Sequence, residues 1–196
     1  HIGGEAWKEQ AVRNTRDMVL QYRNHPSIIL WGVRINESPD DDGLYARTNE
    51  AARRLDATRP VIDTSGWCHH ITADGSAGTD LYDFHDYEQN AEILGKKLKP
   101  YSEGVTPPYA QFTDPKAWVK DTPYFCSEFG GTQWAPDREG WGYGAGPKSE
   151  EEFIARFGSL VTLMLKNPDM CAFCYTQLTD VEQEVNGLYI YDRKLK

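Results

Sequence analysis

Two glutamates each come after an apolar run of the chain, and their type and placement suit acid and base chemistry. Glu37 follows the run IILW at 28–31, and Glu128 follows the run YFC at 124–126. A protonated carboxyl group can give a proton to a leaving oxygen, while an ionised one attacks carbon or activates water. Cleavage of a glycosidic bond needs such a pair, so this is the chemistry that the two glutamates predict.

Further polar residues stand where apolar runs end. Asn36 adjoins Glu37, two glycines follow Phe129, and His85 and Tyr87 follow a third apolar run. Glycines beside a carboxylate leave room for a substrate ring. A single glutamate at the end of a strand can simply cap a helix or bind loop amides. Two of them, on strands of this order, favour a catalytic pair.

The elements that must position these residues alternate between amphipathic helices and apolar strands. A stripe of apolar side chains marks the first helix, and a capping box at Ser149–Glu152 opens the last one. The predicted order is helix 5–23, strand 27–33, helix 43–57, strand 61–64, strand 81–85, helix 90–98, strand 124–126, a helix from 149 and strand 170–175. This pattern predicts a parallel α/β sheet, either doubly wound or a (β/α)8 barrel. In both architectures the site gathers at the carboxyl ends of the strands.

The composition excludes several classes of partner. The chain has 196 residues and a formal net charge of -9, which disfavours nucleic acid because the phosphates would be repelled. No apolar run approaches the ~18 residues of a membrane span. Neither phosphate-binding glycine motif occurs, and the glycine-rich stretch 142–146 is predicted to be a flexible surface loop. No cofactor is expected, and the compartment is left open.

The cysteines and histidines do not predict a metal site. Cys171 and Cys174 have CxxC spacing, but they lie in a predicted strand, where positions i and i+3 point to opposite faces. We therefore expect buried structural cysteines rather than zinc or redox ligands. The pair His69-His70 has no matching second pair of ligands.

Three segments resemble the glycoside hydrolase 2 family, the β-galactosidase and β-glucuronidase group. RNHPSIILWGVRINES at 23–38 resembles the acid/base signature of that family, and PYFCSEFGG at 123–131 resembles its nucleophile strand. CYTQLTDVEQEVNGLYIYDRK at 174–194 resembles the closing strand and the segment after it. The resemblance implies a (β/α)8 TIM barrel with its acid/base after strand four and its nucleophile at the end of strand seven.

The resemblance also implies roles for the two glutamates and their neighbours. Glu37 would be the acid/base and Glu128 the nucleophile of a retaining β-glycosidase. Asn36 would hold the 2-hydroxyl of the sugar. Tyr87 resembles the tyrosine that hydrogen-bonds the nucleophile, and His85 resembles a residue of the rim beside it.

Four aromatic and amide side chains complete the expected substrate contacts. Tyr175 and Gln177 would lie at the rim of strand eight. Trp141 is predicted to be a wall on which the sugar stacks, with Trp134 as the alternative. The expected partner is a β-linked saccharide.

Two departures from the family pattern concern the orientation of the Asn-Glu pair and the specificity for the sugar. The gap from Trp31 to the Asn-Glu pair is one residue longer than usual, through 33–35, so we expect a bulge to absorb it. The glucuronidase Asn-x-Lys motif is expected near 184–189, but this stretch has no lysine. A β-galactoside is therefore preferred to a glucuronide.

The number of predicted strands is five, whereas a whole barrel takes about 250 residues. We expect residues 1–196 to be the C-terminal portion of a catalytic barrel domain, with strands four to eight. Its open edges are expected to favour self-association, and the isolated chain is expected to hydrolyse weakly or not at all. One rival is a carbohydrate-binding or scaffold module without turnover. An esterase ranks last because no GxSxG motif occurs.

Overall fold

A computed structural model describes residues 4–34, 43–66, 69, 78–105 and 122–196. Helices and strands alternate, and the α/β class is confirmed. The elements are α1 (Glu5–Tyr22), β1 (Trp31–Gly32), α2 (Leu44–Leu55), β2 (Val61–Ile62), β3 (Tyr82–Asp86), α3 (Ala91–Ser102), β4 (Tyr124–Gly130), α4 (Glu150–Lys166) and β5 (Met170–Thr176). Within the described ranges, none of the helices has the length and hydropathy that crossing a membrane requires.

The chain divides into two compact units. The first unit is His1–Asp83 with Phe112–Pro123, and the second unit is Phe84–Gln111 with Tyr124–Lys196. Strands β1 and β2 pair in parallel, and the order β3-β4-β5 forms a second sheet in which β4 and β5 are parallel. These parallel pairs agree with the expected sheet type.

In the first unit, helices α1 and α2 bury one apolar face against the short sheet. The core cluster comprises Val19, Trp31, Ala52 and Val61. Strand β1 is shorter than the predicted strand 27–33. The residues just before β1 form a turn in which the Ile28 amide donates to the His25 carbonyl. The Ile28 carbonyl accepts from the Arg59 side chain. Ile28, inside the predicted strand, therefore takes part in a turn and a side-chain contact rather than in the sheet.

In the second unit, capped helices cover the three-stranded sheet. The Asn90 side chain accepts from two amides at the start of α3, and the Ser149 hydroxyl accepts from the Glu152 amide at 3.2 Å. Helix α4 buries Phe153, Leu160 and Met164. Their spacing of seven and four residues places all three on one face of the helix.

Helix α3 continues past its predicted end at residue 98 and includes Pro100. Tyr101 explains the extension because its ring stacks on Phe84 at 5.3 Å and on Tyr124 at 5.2 Å between centroids. Tertiary packing of this buried ring outweighs the missing amide of the proline.

The expectation of buried cysteines is wrong for the CxxC pair. Cys171 and Cys174 are exposed on β5, whereas Cys126 on β4 is buried. An apolar run predicts burial on both faces of a strand, but here neither face of β5 is fully covered. In the part of the chain that the structure describes, no group of three potential ligands could hold a metal ion.

Candidate active site

Glu128 lies inside β4, and an irregularity in the sheet sets its direction. Cys126 pairs with Phe173 and Phe129 pairs with Tyr175, so β4 holds one residue more than β5 between these two pairs. This is a β-bulge at Ser127 and Glu128. Bulges re-aim side chains and are frequent beside active sites. The sequence predicted a bulge near 33–35, which includes undescribed Ile35, but gave no sign of this one.

Tyr87 and His85 meet the Glu128 carboxylate. His85 belongs to β3 and Tyr87 follows it two residues later, so both side chains point to the same side of the strand. The Tyr87 hydroxyl donates to Glu128 Oε2 at 2.5 Å, and His85 Nδ1 lies 3.7 Å from the same oxygen. The structure thus brings together three of the residues that the sequence selected.

The environment keeps the Tyr87 hydroxyl protonated. Burial raises the pKa of Tyr87 far above its usual value, and the hydrogen bond to Glu128 and the charge of that carboxylate raise it further. A neutral phenol can donate to the carboxylate. Tyr87 is therefore a hydrogen-bond donor over the whole neutral range of pH.

Tyr143 is part of this site, although the sequence analysis missed it. Its ring lies flat on Tyr87, with 3.6 Å between centroids and 2° between planes. Its amide donates to the Gly131 carbonyl at 2.8 Å. The glycine-rich stretch does lie at the surface, as predicted, but it is joined to the end of β4. An aromatic residue between glycines was the available signal.

Gln89 was also missed, and it ties the two strand ends together. Its side-chain amide donates to the carbonyls of Tyr87 at 2.9 Å and Gly130 at 2.5 Å. Its carbonyl oxygen accepts from the Thr132 hydroxyl at 2.7 Å. Polar spacing alone gave no sign of it, because two of these partners, the Gly130 carbonyl and the Thr132 hydroxyl, lie more than 40 positions away in the chain.

The two predicted rim residues of β5 have different surroundings. Gln177 donates to the Asn186 side chain at 2.9 Å. The Tyr175 ring instead packs edge-on against Phe129 and Phe157, at 5.6 and 4.9 Å between centroids. Its hydroxyl is buried without a hydrogen-bond partner among the described residues. Contact of either side chain with a sugar stays a prediction.

The two tryptophans proposed as sugar walls differ in exposure. Trp141 is 49% exposed and lies edge-on to Tyr143 at 6.1 Å. Trp134 instead stacks on Phe153 of α4 at 5.7 Å. Trp141 is thus the better placed of the two for a ligand, and this role stays a prediction. Asn36 and Glu37 lie outside the described residues.

Comparison with known proteins identifies the family. The family model described as glycosyl hydrolases family 2, TIM barrel domain, matches residues 3–116, more than half of the chain. The chain therefore belongs to glycosyl hydrolase family 2.

Two curated relatives share the family and are much longer. A β-galactosidase of Thermoanaerobacterium thermosulfurigenes is 34% identical over 138 residues, which are 70% of this chain and 17% of that protein. A β-galactosidase of Thermoanaerobacter pseudethanolicus is 42% identical over 92 residues, or 47% of this chain and 12% of that protein. The chain thus spans less than a fifth of the length of either relative.

A solved structure shares the fold. The GH2 β-galacturonidase from Eisenbergiella tayi superposes with a TM-score of 0.69 at 15% identity, covering 100% of this chain and 36% of that chain. At this identity the likeness concerns the fold alone. It agrees with the TIM barrel domain that the family model describes.

Proposed function

We propose that this chain carries the catalytic residues of a retaining β-glycosidase, with Glu128 as the nucleophile. The observation that carries the proposal is the 2.5 Å hydrogen bond from the Tyr87 hydroxyl to Glu128 Oε2. The Glu128 side chain remains 20% exposed, so a buried donor orients the carboxylate while part of the side chain stays accessible. Family membership supports the same reading, because glycoside hydrolases act through paired carboxyl groups.

In the proposed reaction, the Glu128 carboxylate attacks the anomeric carbon and the bond from that carbon to the aglycone oxygen breaks. Glu37 gives its proton to the departing oxygen, leaving a glycosyl ester on Glu128. Glu37 then takes a proton from water, the water oxygen attacks the anomeric carbon, and the ester bond to Glu128 breaks. Asn36 is proposed to hold the 2-hydroxyl.

Tyr87 has a specific task in this scheme. Its raised pKa keeps it a neutral donor, so it fixes the carboxylate in one rotamer without neutralising it. Holding the nucleophile in a reactive direction lowers the barrier by removing unproductive orientations. His85, 3.4 Å from the Tyr87 hydroxyl through Nδ1, supports that phenol from the neighbouring position on the strand.

We propose a β-galactoside as the substrate. Both curated relatives described above are β-galactosidases, at 34% and 42% identity. No lysine occurs in 184–189, and there Asn186 is fully buried and hydrogen-bonded to Glu184 and Gln177. That asparagine is therefore engaged within the protein, which disfavours recognition of a glucuronide carboxylate.

We further propose that the five strands correspond to strands four to eight of the TIM barrel, within one domain portion spanning 1–196. The small share of each relative that this chain covers supports the assignment. An open barrel exposes unpaired backbone edges, which favour self-association and leave a sugar pocket incomplete. Weak or absent hydrolysis by residues 1–196 alone is the expected result.

The test uses the longest natural polypeptide that contains residues 1–196. We expect it to hydrolyse 4-nitrophenyl β-galactoside, and a 2-deoxy-2-fluoro-β-galactoside to form an ester with Glu128 that peptide mass spectrometry locates. Glu128→Gln should remove both signals. The matched control Glu103→Gln, at an exposed glutamate after α3, should retain both. Galactose binding without turnover in the unsubstituted protein would instead favour the scaffold alternative.

A further inference from the structure

Tyr87 is held from one side by a second aromatic ring. Only 8% of Tyr87 is exposed, and the parallel ring of Tyr143 covers one of its faces at 3.6 Å. A phenol that lacks such a neighbour can change its side-chain rotamer toward solvent. The stack limits that motion while the hydroxyl lies on Glu128.

Glycines allow the loop of Tyr143 to approach the end of β4. A Cβ on Gly131, whose φ is +58°, would lie 2.4 Å from Tyr143 Cδ2. A Cβ on Gly142 would lie 2.6 Å from the Cα of Gln133. Real Cβ atoms do not approach so closely, so larger residues would displace the loop and the ring of Tyr143 with it.

Gln89 supplies the other half of the support. It bridges the carbonyl of Tyr87 and the carbonyl of Gly130, two residues after Glu128. It therefore sets the spacing between the strand end that carries the phenol and the one that carries the carboxylate. Gly144 packs directly against the Gln89 side chain, where a Cβ would lie 2.5 Å from Cγ.

We propose that Tyr143 and Gln89 are positioning residues that hold the Tyr87 hydroxyl on Glu128. Tyr143 acts by stacking on the phenol ring, and Gln89 acts by joining the two strand ends. Neither residue takes part in bond making. The catalytic consequence rests on the function proposed above, whereas the contacts themselves are a property of the fold.

The first experiment follows Tyr87 itself. With tyrosine ring carbons labelled by 13C, the signal of Tyr87 is assigned by its loss in Tyr87→Phe and titrated with base in residues 1–196. Burial is the largest cause of the raised pKa of Tyr87, so Tyr143→Ala should bring that pKa down toward ~10, the value of an exposed phenol. Tyr143→Phe keeps the ring and should retain most of the elevation.

Two further variants serve as controls. Tyr143→Leu keeps an apolar side chain in the loop, so it controls for a general loss of folding in the alanine variant. Tyr191→Ala removes an exposed tyrosine of the second unit and should leave the Tyr87 titration unchanged. A Tyr87 titration that is the same in Tyr143→Ala, Tyr143→Leu and the unsubstituted chain would overturn the stacking role.

The second experiment measures turnover in the longest natural polypeptide. Tyr143→Ala should lower kcat about 10-fold, less than the ~100-fold that a misplacement of about 1 Å can cost, with KM within about 2-fold. Gln89→Leu should have a smaller effect in the same direction. In a Tyr87→Phe background, Tyr143→Ala should add less than about 2-fold, because both changes act through one group.

The two experiments separate the two proposals. A full 10-fold loss from Tyr143→Ala in the Tyr87→Phe background would show that Tyr143 does not act through Tyr87, and would overturn the inference. Absence of turnover in every variant would defeat the proposed function. The titration would still decide whether Tyr143 holds Tyr87 in place.

Discussion

Asp56, the residue that follows α2 in the first unit, and Glu128, within β4 of the second unit, are both carboxylates, but they differ in how many donors they accept from. Asp56 is 6% exposed. Its oxygens accept from the Trp31 indole, from the amide and hydroxyl of Thr58, and from the Arg59 guanidinium, at 2.5–3.0 Å. The fold itself uses nearly all its hydrogen-bonding capacity.

In the described part of the chain, Glu128 accepts far fewer hydrogen bonds than Asp56. Among the residues that the structure describes, its carboxylate has one hydrogen bond, from Tyr87, and its side chain is 20% exposed. A carboxylate that is filled with donors stabilises the fold but cannot attack a substrate. One that is oriented by a single donor and left accessible can do so, at some cost to stability.

A second polar cluster of the first unit follows the pattern of Asp56. His69 Nδ1 lies 2.7 Å from Asp63, and Nε2 contacts the Asp83 backbone carbonyl at 3.0 Å. Asp83 also accepts from the Ser65 hydroxyl at 2.9 Å. The side chains of Asp63, His69 and Asp83 are all buried, so the two carboxylates and the imidazole contact one another inside the unit.

The largest expected effect separates activity from stability at Glu128. Glu128→Gln should lower turnover by more than about 1,000-fold, because an amide does not replace the nucleophile. The free energy of unfolding should change by less than about 1 kcal/mol, because the glutamine side chain keeps an oxygen that can accept from the Tyr87 hydroxyl. Kinetics and urea unfolding measure the two quantities. A strongly destabilised variant would place Glu128 among the structural carboxylates.

The opposite result is expected at Asp56. Asp56→Ala should lower the free energy of unfolding by about 1–3 kcal/mol, because the buried Trp31 indole loses its acceptor and Arg59 its ion pair. Urea denaturation followed by tryptophan fluorescence measures this change. Specific activity per folded molecule should stay the same. A fall in activity with unchanged stability would show that Asp56 serves the reaction rather than the fold.

Removal of the Tyr87 hydroxyl, which donates to Glu128, tests the site more finely. Tyr87→Phe should reduce kcat about 10-fold, by loosening the orientation of the Glu128 carboxylate. The ring and its stack on Tyr143 remain, so the melting temperature should move little. Steady-state kinetics and thermal unfolding of the same preparation check this. Unaltered kcat would show that Glu128 needs no orienting phenol.

The smallest effect concerns pH and His69. Burial is the largest single influence on the pKa of His69 and lowers it, but the hydrogen bond to Asp63 and the charges of Asp63 and Asp83 together outweigh it, so that pKa is raised. The folded state then holds this proton more tightly than the unfolded state does. The resulting stability is fully present below ~6.5, the usual pKa, and is lost as pH rises through the raised pKa.

Urea unfolding between pH 5 and 9 measures this dependence, and His69→Gln is the comparison variant. The unsubstituted chain should become less stable as pH rises across the raised pKa, and the variant should lack this component. An equal slope in both proteins would show that His69 titrates alike in the folded and unfolded states.

Several parts of the structure followed from local patterns. The apolar stripe placed α1, the hydroxyl of Ser149 marked the start of α4, and polar residues after strands selected Glu128, His85 and Tyr87. Each of these signals is contained in a few neighbouring residues, so no knowledge of distant parts of the chain was required. The predicted burial of Cys171 and Cys174 was wrong for the opposite reason, because burial of these residues depends on which distant elements cover β5.

The sequence by itself determined the α/β class, the order of its helices and strands, and the residue types able to cleave a glycoside. Only the tertiary structure decided that a bulge turns Glu128, that Tyr143 covers Tyr87 and that Gln89 joins the two strand ends. These contacts link residues more than 40 positions apart. Local periodicity carries no information about such pairs, because the packing of complete elements brings them together.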